Sequence, residues 1–283
     1  MKKFLLIILI AVCSVNYAEA QFYISGSGGF SFPAAEKTLG TSTTVSGVTD
    51  LKGSYGEGLE VTLRGGYTLN EKWAIELGIG YLHGSDQDVQ SLNVPGASAN
   101  LIARGRAYGA SLAGVYSVSE KFYVRAGFLT KIGGMTEALT DLAIDIPAQI
   151  VNPAAPAGST APLAAEFTTE FNGKFPAGVV AALGYKVPVS DKLNLFAEVE
   201  YMGINVTRDV SNSSDFSANI AGNAIDKATL TSILSSPGLE GLAPLIPLYS
   251  DSEIQWGEGP YPSNEAPYSS IGINVGITYS FGK

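Results

Sequence analysis

Cysteine and histidine are almost absent: the 283-residue chain has one of each. A single cysteine excludes a disulfide framework. One cysteine with one histidine leaves too few ligands for a multi-ligand zinc site. Charge is also scarce, at 15% of residues against about 25% in an average chain. The balance is acidic, with a formal net charge of −9, which argues against a nucleic-acid partner. Beyond the N-terminus no apolar run approaches the ~20 residues a spanning helix needs, which excludes a polytopic helical membrane protein. Glycine, in contrast, is plentiful. Its 33 residues make roughly 12% of the chain against a usual ~7%, with no collagen period.

The first twenty residues read as an address. Lys2 and Lys3 precede an apolar core from Phe4 to Val12, and Ala18-Glu19-Ala20 is a small-x-small cleavage site. This is the layout of a secretory signal peptide. It predicts cleavage before Gln21 and one domain over residues 21–283. Lipidation at Cys13 is disfavoured, because Val12 stands where that processing wants a small residue.

The rest of the chain alternates with period two, the signature of strands. Phe22, Ile24, Phe30 and Phe32 share one face, with Tyr23, Ser25, Ser27 and Ser31 on the other. Leu59, Val61, Leu63, Tyr67 and Leu69 oppose Glu60, Thr62, Arg64 and Thr68. Further stretches begin near Trp73, Tyr108, Phe122, Phe175, Leu193 and Ile271, giving eight predicted strands. Every charge inside them falls on one side: Glu60, Arg64, Glu76, Arg125, Lys186, Glu198 and Glu200. That side is otherwise Gly, Ser, Ala and Thr, whereas a soluble sheet usually fills its polar face with Lys and Glu. Small residues suit a narrow filled interior, and the apolar face then meets lipid, where Lys or Arg would cost ~2–4 kcal/mol at mid-membrane. The predicted fold class is all-β: an eight-stranded antiparallel transmembrane β-barrel, closed so that every backbone group is paired.

The connections alternate in length. Three are short, at 70–72, 119–121 and 188–192, and four are long, at about 34–56, 82–105, 132–174 and 204–267. That is the layout of outer-membrane barrels with long extracellular loops and both termini in the periplasm. The short turns repeat a theme: Tyr67-Thr68-Leu69-Asn70-Glu71-Lys72, Tyr116-Ser117-Val118-Ser119-Glu120-Lys121, and Tyr185-Lys186-Val187 followed by Ser190-Asp191-Lys192. Aromatics cluster toward both strand ends, as interfacial belts would require.

The last strand carries a motif. Asn274, Gly276, Tyr279 and Phe281 resemble the C-terminal assembly signal of outer-membrane barrels, in the order polar, Gly, aromatic, aromatic. With this motif the architecture resembles the small OmpA/OmpX-type outer-membrane β-barrel family. The resemblance implies the outer membrane of a Gram-negative cell, with membrane lipid and the barrel-assembly machinery as partners. Gly282 and Lys283 follow where the family commonly ends on the aromatic. The chain has no room for that family's periplasmic peptidoglycan-binding domain.

Candidate chemistry is sparse. A turn centred near Glu71 puts Arg64 opposite Gly78, with Glu76 a diagonal neighbour within reach. Buried charges must pair, so the seven interior charges are expected to form a salt-bridge plug, with a gate for small ions as the other reading. His83-Gly84-Ser85-Asp86 resembles the His-x-Ser of outer-membrane lipid A deacylases, yet no carboxylate can be assigned to orient the histidine. A lipid-modifying enzyme is therefore the third reading, and no catalytic residue is assigned. Asp86 and Asp88 lack the spacing of a calcium loop. No metal or cofactor is expected.

The long loops are richer. Leu139, Leu142, Ile144, Ile146 and Ile150 precede an Ala/Pro stretch from Pro153 to Pro162. Ala224 to Leu234 reads as an amphipathic helix, and Leu242, Leu245, Ile246 and Leu248 follow. These apolar residues either pack as a cap over the barrel mouth or present a hydrophobic surface to a ligand or another protein. The expected role is structural or surface-interacting and non-enzymatic. The alternative is a narrow pore or a carrier for small hydrophobic molecules received at the third and fourth long loops.

Overall fold

The computed structural model describes residues 22–34, 37–250 and 252–281. The signal segment, residues 1–20, lies outside the described residues. No helix among the described residues is long and apolar enough to cross a membrane. In chain order the strands are β1 (Phe22–Pro33), β2 (Lys37–Thr44), β3 (Gly47–Gly53), β4 (Gly58–Thr68), β5 (Trp73–Gly84), β6 (Gln87–Val94), β7 (Ala97–Ser117) and β8 (Phe122–Pro147). A short helix α1 (Ala148–Val151) leads to β9 (Thr160–Gly173), β10 (Gly178–Pro188), β11 (Leu193–Gly203), β12 (Asn205–Ile220) and β13 (Asn223–Ala224). Helix α2 (Lys227–Leu234) and a 3-10 segment (Glu240–Tyr249) precede β14 (Ile254–Gln255), β15 (Glu265–Pro267) and β16 (Ser270–Ser280).

Eight strands pair in a closed cycle. β1 bonds to β4, β4 to β5, β5 to β7, β7 to β8, β8 to β10, β10 to β11, β11 to β16, and β16 back to β1, all antiparallel. Three tight turns close one end of this ring. At each, a side-chain oxygen takes the place of a backbone acceptor. Asn70 Oδ1 accepts from the N–H groups of Lys72 and Trp73, both at 3.0 Å. Ser119 Oγ does the same for Lys121 and Phe122, and Ser190 Oγ for Lys192 and Leu193. The repeated turn sequence therefore encodes one repeated turn.

Among the described residues the strands number sixteen, which corrects the expectation of eight strands joined by loops. The long segments expected to be loops are largely strand. β7 runs for 21 residues and β8 for 26, roughly 70 and 85 Å at ~3.3 Å per residue. Their lower halves belong to the ring. Their upper halves continue as a hairpin, flanked on one side by β6, β2 and β3 and on the other by β9 and β12. Short breaks at 85–86, 174–177 and 204 let this upper sheet leave the ring. Pro176, in the second break, has no N–H to offer a ladder.

A bulge also hides the upper sheet from a period-two reading. Tyr108 pairs with Gly133 and Gly109 with Lys131, so Ile132 is the extra residue. Below it odd-numbered side chains such as Arg125 face inward, and above it even-numbered ones such as Thr136 and Leu142 are buried. Gly134, just past the bulge, has φ +84°, a region glycine enters without strain.

The upper sheet has its own core. Leu142, Ile146 and Leu163 of the sheet pack against Leu230 and Leu234 of α2 and Tyr249 of the 3-10 segment. A second cluster at the ring's mouth gathers Tyr55, Leu82, Phe171, Val206 and Tyr268. The expected helix over Ala224–Leu234 starts later, at Lys227. Asp226 caps it by accepting from the Thr229 N–H at 2.8 Å, and Ala224 belongs to β13.

Inside the ring, three aromatic side chains each lie over a glycine of the neighbouring strand. Tyr23 faces Gly66, Tyr123 faces Gly184 and Phe196 faces Gly276. A Cβ on any of these glycines would enter the ring opposite. Gly184→Val should therefore cost about 1–3 kcal/mol through overpacking, read as a lower urea midpoint for the refolded protein. Gly65→Val, where a Cβ meets nothing within 4 Å, should leave the midpoint unchanged or raise it.

Candidate functional site

The inward faces of the ring strands bring charge to one place. Arg64 sits mid-strand in β4, paired with Gly78 of β5, and the missing side chain there leaves space for the Ser111 hydroxyl and the stem of Arg64. Its fork meets Glu198 of β11 with two hydrogen bonds, Nη2 to Oε1 at 2.6 Å and Nη1 to Oε2 at 3.1 Å, a bidentate geometry stronger than a single contact. Nη2 also donates to Ser27 Oγ at 3.1 Å. The guanidinium lies 5.2 Å from the centre of the Phe196 ring.

Arg125 of β8 approaches the same carboxylate, with Nη2 3.4 Å from Glu198 Oε1, and also contacts Glu200. Glu76 of β5 completes the cluster at ion-pair distance from both cations, 3.9 Å from Arg64 Nη1 and 3.8 Å from Arg125 Nε. Two phenols close its edge. Tyr23 donates to Glu76 at 3.0 Å and Tyr123 to Glu198 at 2.9 Å. Every charged member is buried, so each needs the others.

Of the seven interior charges, five meet: Arg64, Glu76, Arg125, Glu198 and Glu200. The hub is Glu198, and Glu76 is the secondary partner of Arg64. Glu60 stands apart, accepting from Ser31 Oγ at 3.0 Å and Thr62 Oγ1 at 3.3 Å. Lys186 lines the space near the tight turns and makes no ion pair among the described residues. The two tyrosines and Ser27 were not singled out in the sequence. Their position on the small-residue face was the available signal.

The cluster divides the space inside the ring. Toward the tight turns lies a cavity of about 200 Å³ that Arg64 and Glu76 border. Toward the mouth lies one of about 90 Å³ that Glu60, Arg125 and Glu200 border. Glu198, bonded to both arginines, borders neither. The arrangement is a partition rather than a binding cleft.

The remaining candidates fall elsewhere. His83 is on the outer face near the end of β5, 3.5 Å from the Tyr81 hydroxyl, and Asp86 pairs with Arg104 at 3.6 Å. Among the described residues no group of three or more His, Cys, Asp or Glu converges as a cation cage would. Asn274 points into the ring opposite Gly29, and Gly276 lies under Phe196. Tyr279 and Phe281 face outward with ring centres 5.3 Å apart.

No family model and no curated protein matches the chain. Among solved structures it is similar to the outer membrane protein OprG from Pseudomonas aeruginosa, at 9% identity and TM-score 0.34, over 94% of this chain and 98% of that one. It is also similar to CarO from Acinetobacter baumannii, at 15% identity and TM-score 0.31, over 93% and 98%. A FadL homologue from Pseudomonas aeruginosa aligns at 10% identity and TM-score 0.24, over 93% and 90%. Likeness at this level assigns no role.

Because Glu198 answers two buried cations, Glu198→Ala should destabilise the protein by about 3–5 kcal/mol in urea unfolding. Glu60→Ala, which strands only hydroxyl donors, should cost about 1–3 kcal/mol. Equal losses at the two positions would remove Glu198 from the centre of the network.

Proposed function

We propose that the eight-stranded ring is a transmembrane β-barrel of a Gram-negative outer membrane, and that it anchors the folded upper sheet as a surface-interaction platform. The observation that carries this reading is the inversion of the usual burial pattern. Along β16 and at Phe281 just past it, Ile271, Ile273, Val275, Ile277, Tyr279 and Phe281 are 41–63% exposed, while Asn274 between them is 2% exposed. Leu63 and Leu77, on β4 and β5, are exposed in the same way. Water would not tolerate so broad an apolar band, and lipid requires one.

Dimensions agree. Six of the ring strands are 11 or 12 residues long, close to the ~9–11 that a tilted membrane strand needs. Aromatic pairs ring the tight-turn end: Phe22 with Tyr67, Trp73 with Tyr116, and Phe122 with Tyr185, at 4.8–4.9 Å between centroids. At the other end Tyr81 meets Tyr108 at 5.0 Å. A belt at one end and an aromatic pair at the other support a bilayer interface at each. On this reading the tight turns and both termini are periplasmic, and the partners are membrane lipid and the barrel-assembly machinery that reads Asn274, Gly276, Tyr279 and Phe281.

The charge partition supports a closed lumen over a pore. The ordered upper sheet, with its own hydrophobic core, supports display of a rigid surface, and the role is non-enzymatic. An epitope inserted between α1 and β9 should be labelled on intact cells, and one at 189–192 only after permeabilisation. The refolded protein should give no unitary conductance in planar bilayers. Labelling in the opposite order, or a resolvable wild-type channel, overturns the reading.

A further inference from the structure

Above the barrel mouth, beneath the upper sheet, lies a cavity of about 230 Å³. Its charges are unusual for so acidic a chain. Lys131 and Arg208 line it, and no aspartate or glutamate does. Among the described residues neither cation has an ion pair or a side-chain hydrogen bond. Asp209, next to Arg208 in sequence, reaches Lys174 at 3.9 Å instead. Arg208 is held against two aromatic rings, 4.0 Å from the centre of Phe171 and 4.5 Å from that of Trp256. Lys131 Nζ lies 5.9 Å from the centre of the Tyr268 ring.

Such packing fixes a guanidinium in place while leaving its N–H donors free for an anion. Burial lowers the pKa of Arg208, with no carboxylate to offset it. The Tyr55 phenol offsets that lowering in part, but burial raises its own pKa, and burial pushes Tyr268 up to about 12. Leu39, Val89, Leu101 and Leu248 form an aliphatic wall, and Thr136, Asn172 and Asn264 add uncharged polar groups. Two half-buried cations that line one cavity with no acidic side chain leave a charge for something else to meet.

We propose that this cavity binds a small amphipathic anion: a carboxylate carried on one aromatic ring or a short aliphatic chain. The carboxylate sits on Arg208 and Lys131, and the apolar body lies against the aliphatic wall. The cavity is smaller than the roughly 300–1,000 Å³ typical of drug-sized ligands, which sets the size class. Lys131 also borders the upper cavity of the lumen, so the bound molecule rests on the barrel mouth. The proposal deepens the surface-interaction reading by naming its ligand class, and its test does not depend on membrane orientation.

The chain has two tryptophans, Trp73 and Trp256, so Trp73→Phe leaves Trp256, beside Arg208, as the sole reporter. The full mature chain carrying that change, refolded in detergent, should show a saturable Trp256 fluorescence change with 4-phenylbutyrate. Lys131→Met and Arg208→Gln should each weaken the apparent affinity at least about tenfold, as expected for loss of a charge-assisted hydrogen bond. The neutral analogue 4-phenylbutanol should bind at least about tenfold more weakly than the acid. Inorganic phosphate, which has no apolar body, should not compete.

No saturable change, equal binding of the alcohol, competition by phosphate, or an unaffected Lys131→Met variant each overturns the proposal. If Arg208→Gln loses the folded band on an unboiled gel, Lys131→Met alone decides. Loss of that band in the parent protein would instead count against the barrel.

Discussion

Residues that alternate along a strand must face two different surroundings once the sheet closes on itself. In this protein one set is Leu, Ile, Val and aromatic, and the other is Ser, Gly, Glu and Arg. Neither set can be satisfied by water on both sides of an open sheet. Closure resolves the conflict by giving each set its own compartment and by pairing the strand edges, β1 with β16, that would otherwise remain unbonded. The tight turns, the glycines beneath interior aromatics and the breaks that release the upper sheet all follow from holding that ring shut.

The interior then has to be filled. Eight strands leave a lumen about wide enough for side chains, and this chain fills it with charge. Charges out of water are costly unless their partners are well placed. Glu198 meets that condition by accepting from two guanidinium groups and a phenol. The result is a stiff partition, with space on either side. The upper sheet solves its own burial problem separately, with a hydrophobic core between its strands and α2. The cavity between sheet and ring is where the two solutions meet, and there charge is left unanswered.

Much of the ring was legible in the sequence, because period two is a local signal. β1, β4 and β16 announce themselves, and the turn centred near Glu71 fixes Arg64 opposite Gly78, as the register has it. The upper sheet was not legible. β2, β6 and β12 are rich in Thr, Ser and Asn with weak alternation, and although Leu142, Ile144 and Ile146 alternate, the bulge at Ile132 reverses the parity of β8 midway. The primacy of Glu198 was also hidden. Neighbour register relates β4 to β5, and so suggests Glu76, but β11 reaches Arg64 only across the closed interior. Lys131 lies at the edge of one segment read as a loop and Arg208 within another, 77 positions apart (208 − 131), so no spacing could have joined them.

The division of side chains between lipid and lumen is tested most directly by spin labels placed singly at Ile271, Ile273, Val275 and Ile277 of β16, in protein refolded into liposomes. Lipid-facing placement requires strong collision with dissolved oxygen and weak collision with a water-soluble nickel reagent, with the contrast greatest near Val275. Labels that collide freely with the nickel reagent, or that are shielded from both, would mean that these side chains meet water or a protein core, and the barrel would not span a membrane.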